Sequence, residues 1–144
     1  MPDELDAVLG MNAVSGDNLS PHHMPSAHSI LENEGMNPSY GACSNVMTDT
    51  HKNTFTYGMN NRTRRYDMAL YESLSYEDRL VFDQYDLQRV YAESRPNVDM
   101  DIVKSKLKEE YDMAMGMREV KESLTLEGEQ DMRNIEEMKE EGCR

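Results

Sequence analysis

A single periodic stretch, residues 99–141, constrains the fold of this chain more than any other feature. Apolar residues recur within it every three or four positions, which is the spacing of one helix face. The stripe comprises Met100, Val103, Leu107, Tyr111, Ala114, Met117, Val120 and Leu124, and it resumes at Met132, Ile135 and Met138. At about 1.5 Å per residue, such a helix would span on the order of 60 Å. We therefore expect it to project from its domain or to pack on another chain, with a kink at Gly128, because glycine is unfavourable inside a helix.

Two shorter helices are expected to precede the long one, over residues 62–74 and 76–94. Ser75 is placed to cap the second helix, and Pro96 ends it because the residue before a proline avoids helical geometry. Since a short connection favours antiparallel packing, the second helix is predicted to fold back on the long one as a hairpin. The predicted contacts of this hairpin join Leu80, Leu87 and Tyr91 to Val103, Leu107 and Tyr111.

The first part of the chain has a composition that predicts an extended arm. Residues 1–51 contain seven acidic residues, no Lys or Arg, and four of the five prolines. Such a segment buries too little apolar surface to offset its chain entropy. We therefore divide the chain into an N-terminal arm, residues 1–61, with a short strand near 54–59, and a helical domain, residues 62–144. The predicted fold class is mainly α: a helical hairpin with a long projecting C-terminal helix and an extended, largely irregular N-terminal arm.

Charge is distributed unevenly along the chain. The net charge of −13 argues against broad nucleic-acid binding, because neutralising phosphates requires an excess of Lys and Arg. Residues 52–65 are the exception, with four basic residues and no acid, and their aromatic neighbours give them a local resemblance to a nucleic-acid patch. The total charge favours instead a contact between subunits, made by this arginine cluster and the acids at the chain start. The residues of that predicted contact are Arg62, Arg64 and Arg65 on one copy and Asp3, Glu4 and Asp6 on the other.

The histidines and cysteines do not form a pattern that predicts a catalytic or metal site. His22, His23 and His28 are clustered, but a metal needs ligands held by a folded scaffold, and this cluster falls in the predicted arm. Cys43 and His51 can be paired as nucleophile and base, yet the sequence supplies no third group to orient the base. We therefore expect no catalytic residues, no metal and no cofactor.

These features favour a structural or assembly protein that is not an enzyme. We expect a helical protomer of a homo-oligomer, with partners that include itself and other proteins of a large assembly. Small, acidic, methionine-rich helical chains without catalytic motifs are typical of bacteriophage virion components, such as scaffolding, head–tail and internal ejected proteins. The alternative is a regulatory module that sequesters a partner protein through its arm or its long helix. Nucleic acid is not an expected partner in either case.

The sequence also carries no pattern for export or membrane insertion. The start, Met-Pro-Asp-Glu-Leu-Asp, lacks the positive and apolar regions of a secretory signal. No apolar run approaches the roughly 18 residues of a membrane span. The two cysteines, Cys43 and Cys143, are expected to be thiols in a reducing compartment. We expect the protein in the cytoplasm during synthesis, and in a virion if the assembly hypothesis holds.

Overall fold

A computed structural model of the chain describes residues 3–13, 18–57 and 65–123. Within these residues there are three strands, β1 (Ala7–Leu9), β2 (Leu19–His23) and β3 (Ala42–Met47). The α-helices of the same residues are α1 (Ala27–Glu34), α2 (Thr48–Lys52), α3 (Arg65–Ser73), α4 (Tyr76–Ser94) and α5 (Met100–Ser123). Two single 3-10 turns, Gly10–Asn12 and Pro38–Tyr40, precede β2 and β3 respectively.

The prediction of a mainly α protein with an irregular N-terminal arm is wrong, because the first fifty residues contain a sheet. The strands pair in the order β1-β3-β2, and both pairings are antiparallel. β3 therefore lies in the centre, while β2 lies at an edge, where a strand can accommodate Pro21. In the register of β2 on β3, His22 lies opposite Ser44 and His23 lies opposite Cys43.

One hydrophobic core joins this sheet to the helices. α5 packs against β1 and β3 as well as against α4. The buried residues of this core are Leu5, Met24, Ala42, Val46, Leu80, Leu87, Tyr91, Val103, Leu107 and Ala114. The low apolar content of residues 1–51 suggested that they could not fold, but the apolar residues they do contain are placed against the helical hairpin. That shared core supplies the burial that the segment lacks by itself.

The helical hairpin is present. α4 spans Tyr76–Ser94, and the Ser75 hydroxyl caps it by accepting a 3.1 Å hydrogen bond from the Asp78 backbone N–H. The residues expected to form its interface lie together: Leu80, Leu87, Tyr91, Val103 and Leu107 are in the core, and Tyr111 packs partly buried against it.

The long helix does not project over the part that is described. α5 runs from Met100 to Ser123 and lies on both α4 and the sheet. The continuation predicted to residue 141, with its kink at Gly128, lies outside the described residues. The strand predicted near 54–59 is replaced over Thr54–Tyr57 by turns, and residues 58 and 59 lie outside the described ranges. Among the described helices, none combines the length and the apolar composition needed to cross a membrane.

Two acids expected to reach a neighbouring copy are used inside the chain. Glu4 accepts hydrogen bonds from the Arg95 guanidinium at 2.7 Å and from the Tyr91 hydroxyl at 2.6 Å. Asp6 accepts one from the Lys106 ammonium at 2.7 Å, and this bond lowers the pKa of the carboxyl. These two acids fix the chain start to α4 and α5. The predicted intersubunit contact stays a prediction, because the side chains of its arginines lie outside the described residues.

Shortening Leu107 should destabilise the fold because this side chain is buried between α5 and the rest of the core. We expect Leu107→Ala to lower the free energy of unfolding by about 2–5 kcal/mol, the usual range for a buried leucine. Ile102→Ala is the matched control, since Ile102 lies on the same helix but is 58% exposed. Chemical denaturation measures both variants, and equal effects of the two would contradict the packing of α5 described here.

Candidate functional site

The sheet and α2 bring together three histidines from two parts of the sequence. His22 and His23 are the last residues of β2, and His51 lies in α2, the helix that directly follows β3. Because β2 and β3 are antiparallel, α2 begins near the start of β2 and contacts both strands. We refer to His22, His23 and His51 as the histidine cluster. Its members are buried or half-buried.

Two rings of the cluster, those of His22 and His51, lie close to each other. The centroids of the His22 and His51 rings are 5.0 Å apart, and the Tyr57 ring meets His51 edge-on at the same distance. The Ser20 hydroxyl oxygen lies 2.9 Å from Nδ1 of His51. When Nδ1 carries the proton and donates to Ser20, the lone pair of His51 is on Nε2. Ser20 lies on the same strand as His22, so strand β2 orients the His51 ring as well as carrying a histidine of its own.

His22 has a buried nitrogen without a hydrogen-bond partner among the described residues, and five other buried side-chain atoms there also lack one, including the Ser44 hydroxyl oxygen opposite it. The residue is 2% exposed, and its Nε2 atom has no hydrogen-bond partner among the described residues. A buried polar atom without a partner costs on the order of 1–3 kcal/mol, so each such atom in a folded protein calls for an explanation. A bound ion or ligand is one of the established explanations. The orphaned atom belongs to the ring that faces His51.

The surroundings favour the neutral forms of both facing imidazoles. Burial lowers the pKa of His22 well below its usual value, and the neighbouring His51 and His23 lower it further. Burial, with a smaller effect from His23, lowers the pKa of His51 from 6.5 to about 4. Both rings are therefore neutral at pH 7, and the neutral imidazole is the form that binds metals.

His23 is held from several sides. Its Nε2 atom lies 2.9 Å from the Pro38 carbonyl oxygen, which can only accept, so Nε2 carries the proton and donates it. Two glycines leave space for the ring: a Cβ at Gly10 would lie 3.0 Å from Nε2 of His23, and one at Gly41 would lie 3.0 Å from its Cδ2. A side chain at either glycine would press on the His23 ring.

The separation of the two facing rings can be compared with that of a metal site. Two imidazoles that bind one ion through nitrogens about 2.0–2.1 Å from it have ring centroids on the order of 5 Å apart. The His22–His51 separation of 5.0 Å fits that arrangement. No group of three or more His, Cys, Asp or Glu side chains within residues 3–13, 18–57 and 65–123 is arranged to hold a metal. An ion here would therefore take two ligands from these rings and the others from water or substrate oxygens.

The other residues considered from the sequence lie elsewhere. His28 is exposed on α1, so it does not belong to the cluster that the sequence suggested for it. Cys43 lies opposite His23 in the sheet, with its sulfur 3.9 Å from the Gly41 carbonyl oxygen. The hydrogen-bond partner of His51 is the Ser20 hydroxyl. The side chains of the arginine cluster lie outside the described residues.

Two buried acids on the helical hairpin also escaped the sequence analysis. Asp83 accepts a 2.6 Å hydrogen bond from the Tyr71 hydroxyl, and Glu110 accepts one of 2.7 Å from the Gln84 amide. Burial raises the pKa of each carboxyl well above its usual value. Acids on a helix are usually solvated. The sequence signal for burial was their spacing, since Asp83 lies three residues from Leu80 and Glu110 three from Leu107, on the apolar face of each helix.

The chain was compared with protein families, curated proteins and solved structures. No protein-family model, no curated protein and no solved structure matches the chain.

Lowering the pH should destabilise the protein through His51. The unfolded chain takes up this proton near pH 6.5 and the folded chain only near pH 4, so the contribution is complete above pH 6.5 and is lost as the pH falls toward 4. Chemical denaturation between pH 7 and 4 should show a smaller loss of stability in His51→Asn than in the wild type.

Comparison of variants is essential in that experiment because Asp83 and Glu110 act in the opposite direction. Their raised pKa values mean that the folded state takes up their protons first, which adds stability as the pH falls. His28→Asn is the matched control, since His28 is exposed. The same pH slope in His51→Asn as in the wild type would contradict a buried, neutral His51.

Proposed function

We propose that this protein is a metal-dependent hydrolase that cleaves phosphodiester bonds in nucleic acid. The observation that carries the proposal is the buried Nε2 atom of His22, which has no hydrogen-bond partner in the described part of the chain and belongs to a neutral ring 5.0 Å from the ring of His51. The proposal assigns metal binding to these two histidines and proton transfer to His23.

Metal binding by His22 and His51 accounts for three separate features. It gives Nε2 of His22 the partner that it lacks. It uses both rings in their neutral form, which their lowered pKa values favour. It also gives the Ser20 hydroxyl oxygen a role. Histidines that bind metals usually donate their other ring N–H to an oxygen that fixes the tautomer, and Ser20 is placed to accept from Nδ1 of His51. A divalent ion with two protein ligands keeps open positions for water and for phosphate oxygens.

His23 is suited to act as the general base. The Pro38 carbonyl oxygen accepts a hydrogen bond from Nε2 and thereby orients the ring, as a general base requires. In the proposed reaction, a water oxygen attacks phosphorus and the water proton passes to His23. The bond from phosphorus to the leaving oxygen then breaks, and that oxygen takes up a proton from solvent. His22 and His51 would hold a divalent ion, which would stabilise the charge that develops on the phosphate oxygens.

The charge pattern next to the cluster supports a nucleic-acid substrate. The acid-free basic stretch, residues 52–65, begins one residue after His51 and contains the arginine cluster. Two of the acids proposed to neutralise it are already paired with Arg95 and Lys106. The four basic residues of this stretch favour binding of an anionic polymer although the whole chain is at −13, and such binding should weaken steeply as salt rises.

The assembly role expected from the sequence remains a separate hypothesis. It depended on an extended arm that crosses to neighbouring subunits, and the described residues of that segment pack on α4 and α5 of the same chain. The composition that favoured the virion role and the long helix that favoured the regulatory role are not tested by this packing. Light scattering during size-exclusion chromatography tests them directly, since a large discrete assembly would support the first and a monomer the second.

Cleavage of nucleic acid by the purified protein tests the proposal. Plasmid DNA and single-stranded RNA are incubated with the chelated protein and with Mg²⁺, Mn²⁺, Ni²⁺ or Zn²⁺ added separately. We expect cleavage that depends on an added ion and falls by about 10²–10⁴-fold in His23→Ala, the usual contribution of a general base. Ion affinity should fall in His22→Ala and His51→Ala but remain in His23→Ala.

His28→Ala is the matched control for that assay, because it removes an exposed histidine from the same chain. It should cleave and bind the ion as the wild type does. Absence of cleavage with every ion, or cleavage that survives in His22→Ala and His51→Ala, would contradict the proposed function.

A further inference from the structure

One face of α4 reaches both segments that carry the histidine cluster. Asp83 and Asp86 lie one helical turn apart, and both side chains are buried: Asp83 is 1% exposed and the Asp86 side chain 8%. Neither touches a histidine. Asp86 is bound directly to the backbone of the segment after His51, and Asp83 is bound to a tyrosine that contacts the segment after His23.

Asp83 acts on the segment that follows His23. The Tyr71 hydroxyl donates to Oδ2 of Asp83 at 2.6 Å and accepts the backbone N–H of Ser26 at 3.0 Å. Ser26 is the third residue after His23, and its hydroxyl caps α1 by accepting the Ser29 N–H. The Asp83 carboxyl thus orients the Tyr71 hydroxyl, which binds the backbone of Ser26 just after the end of strand β2.

Asp86 acts on the turn that follows His51. Its Oδ2 atom accepts the backbone N–H of Phe55 at 2.7 Å, while its Oδ1 atom accepts from Arg89 at 2.9 Å. Arg89 in turn donates to the Asn53 carbonyl oxygen at 3.3 Å. A backbone donor and a backbone acceptor of the turn are therefore bound from the same point on α4. The turn leads from His51 to Tyr57, whose ring contacts the His51 ring.

An aromatic group joins the two attachments. The Phe82 ring meets the Phe55 ring at 5.1 Å and the Tyr71 ring at 5.7 Å, both edge-on, and Phe55 and Tyr71 are 6.1 Å apart. Phe55 belongs to the turn after His51, and Tyr71 holds the segment after His23. Packing of this kind makes the separation of the two segments a property of α4 rather than of the small sheet alone.

We propose that Asp83 and Asp86 are positioning residues that set the distance between His22 and His51, through Tyr71–Ser26 and through the Asn53–Phe55 turn. The inference deepens the proposed function, on which its metal readout rests, and adds two side chains that touch neither substrate nor ion. Supporting groups of a metal site typically change its affinity by 10–100-fold when they are removed.

Asp86→Leu and Asp86→Asn test the proposal as a pair. Leucine removes the acceptor for the Phe55 N–H, whereas asparagine keeps an acceptor oxygen. Cobalt(II) titration should show affinity 10–100-fold weaker in Asp86→Leu and within about threefold of the wild type in Asp86→Asn. The NMR signals of the His51 ring at pH 7, recorded without metal, should move in Asp86→Leu and return in Asp86→Asn.

Two control variants separate positioning from a general loss of stability. Val103→Ala destabilises the core through a residue of α5 that lies on neither histidine segment, and Asp112→Leu removes an exposed acid that is paired with Lys108. Neither should alter the His51 ring signals or the cobalt affinity. If Asp86→Leu fails to fold, Tyr71→Phe removes a single hydroxyl and should move the His22 and His23 ring signals instead.

The outcomes distinguish this inference from the proposed function. A wild-type protein that binds no cobalt contradicts the proposed function, while the metal-free ring signals still decide the positioning role. Unchanged His51 signals in a folded Asp86→Leu, or changes of the same size in Val103→Ala, would overturn the inference.

Discussion

The pairing of β2 with β3 is the interaction on which the rest of this structure depends. It places His22 and His23 at an edge of the sheet and, by carrying the chain into α2, brings His51 beside them. A sheet of three short strands is marginal by itself, so it needs another element to cover one face. The helical hairpin supplies that cover, and the same core residues that stabilise the hairpin stabilise the sheet.

Burying the histidine cluster costs folding free energy, and this cost favours a functional role for its arrangement. Two imidazoles are withdrawn from water and held neutral, and one of their nitrogens has no partner within residues 3–13, 18–57 and 65–123. A core built only for stability would place apolar residues at such positions. Around the cluster, Ser20 and the Pro38 carbonyl fix two of the rings, and α4 holds the chain after His23 and after His51. The support is concentrated on these three side chains.

The helices could be predicted from the sequence because their signals are local. The apolar period and the caps at Ser75 and Pro96 identify α4, and the hairpin follows from the short connection between α4 and α5. The strands gave no such signal: β3 reads Ala-Cys-Ser-Asn-Val-Met, and β2 contains a proline. Their stability comes from a core shared with residues more than thirty positions away, which composition cannot reveal. His28, an obvious member of the cluster by sequence, was misassigned for the same reason, and His51 was missed.

The most direct test of the account is anomalous diffraction from crystals of the protein grown with cobalt(II). If His22 and His51 bind one ion, the map will show one strong peak about 2.0–2.1 Å from Nε2 of His22 and from a ring nitrogen of His51. A peak at the exposed His28 alone, or a water molecule on Nε2 of His22 in crystals that contain the ion, would contradict the claim that these two histidines form a metal site.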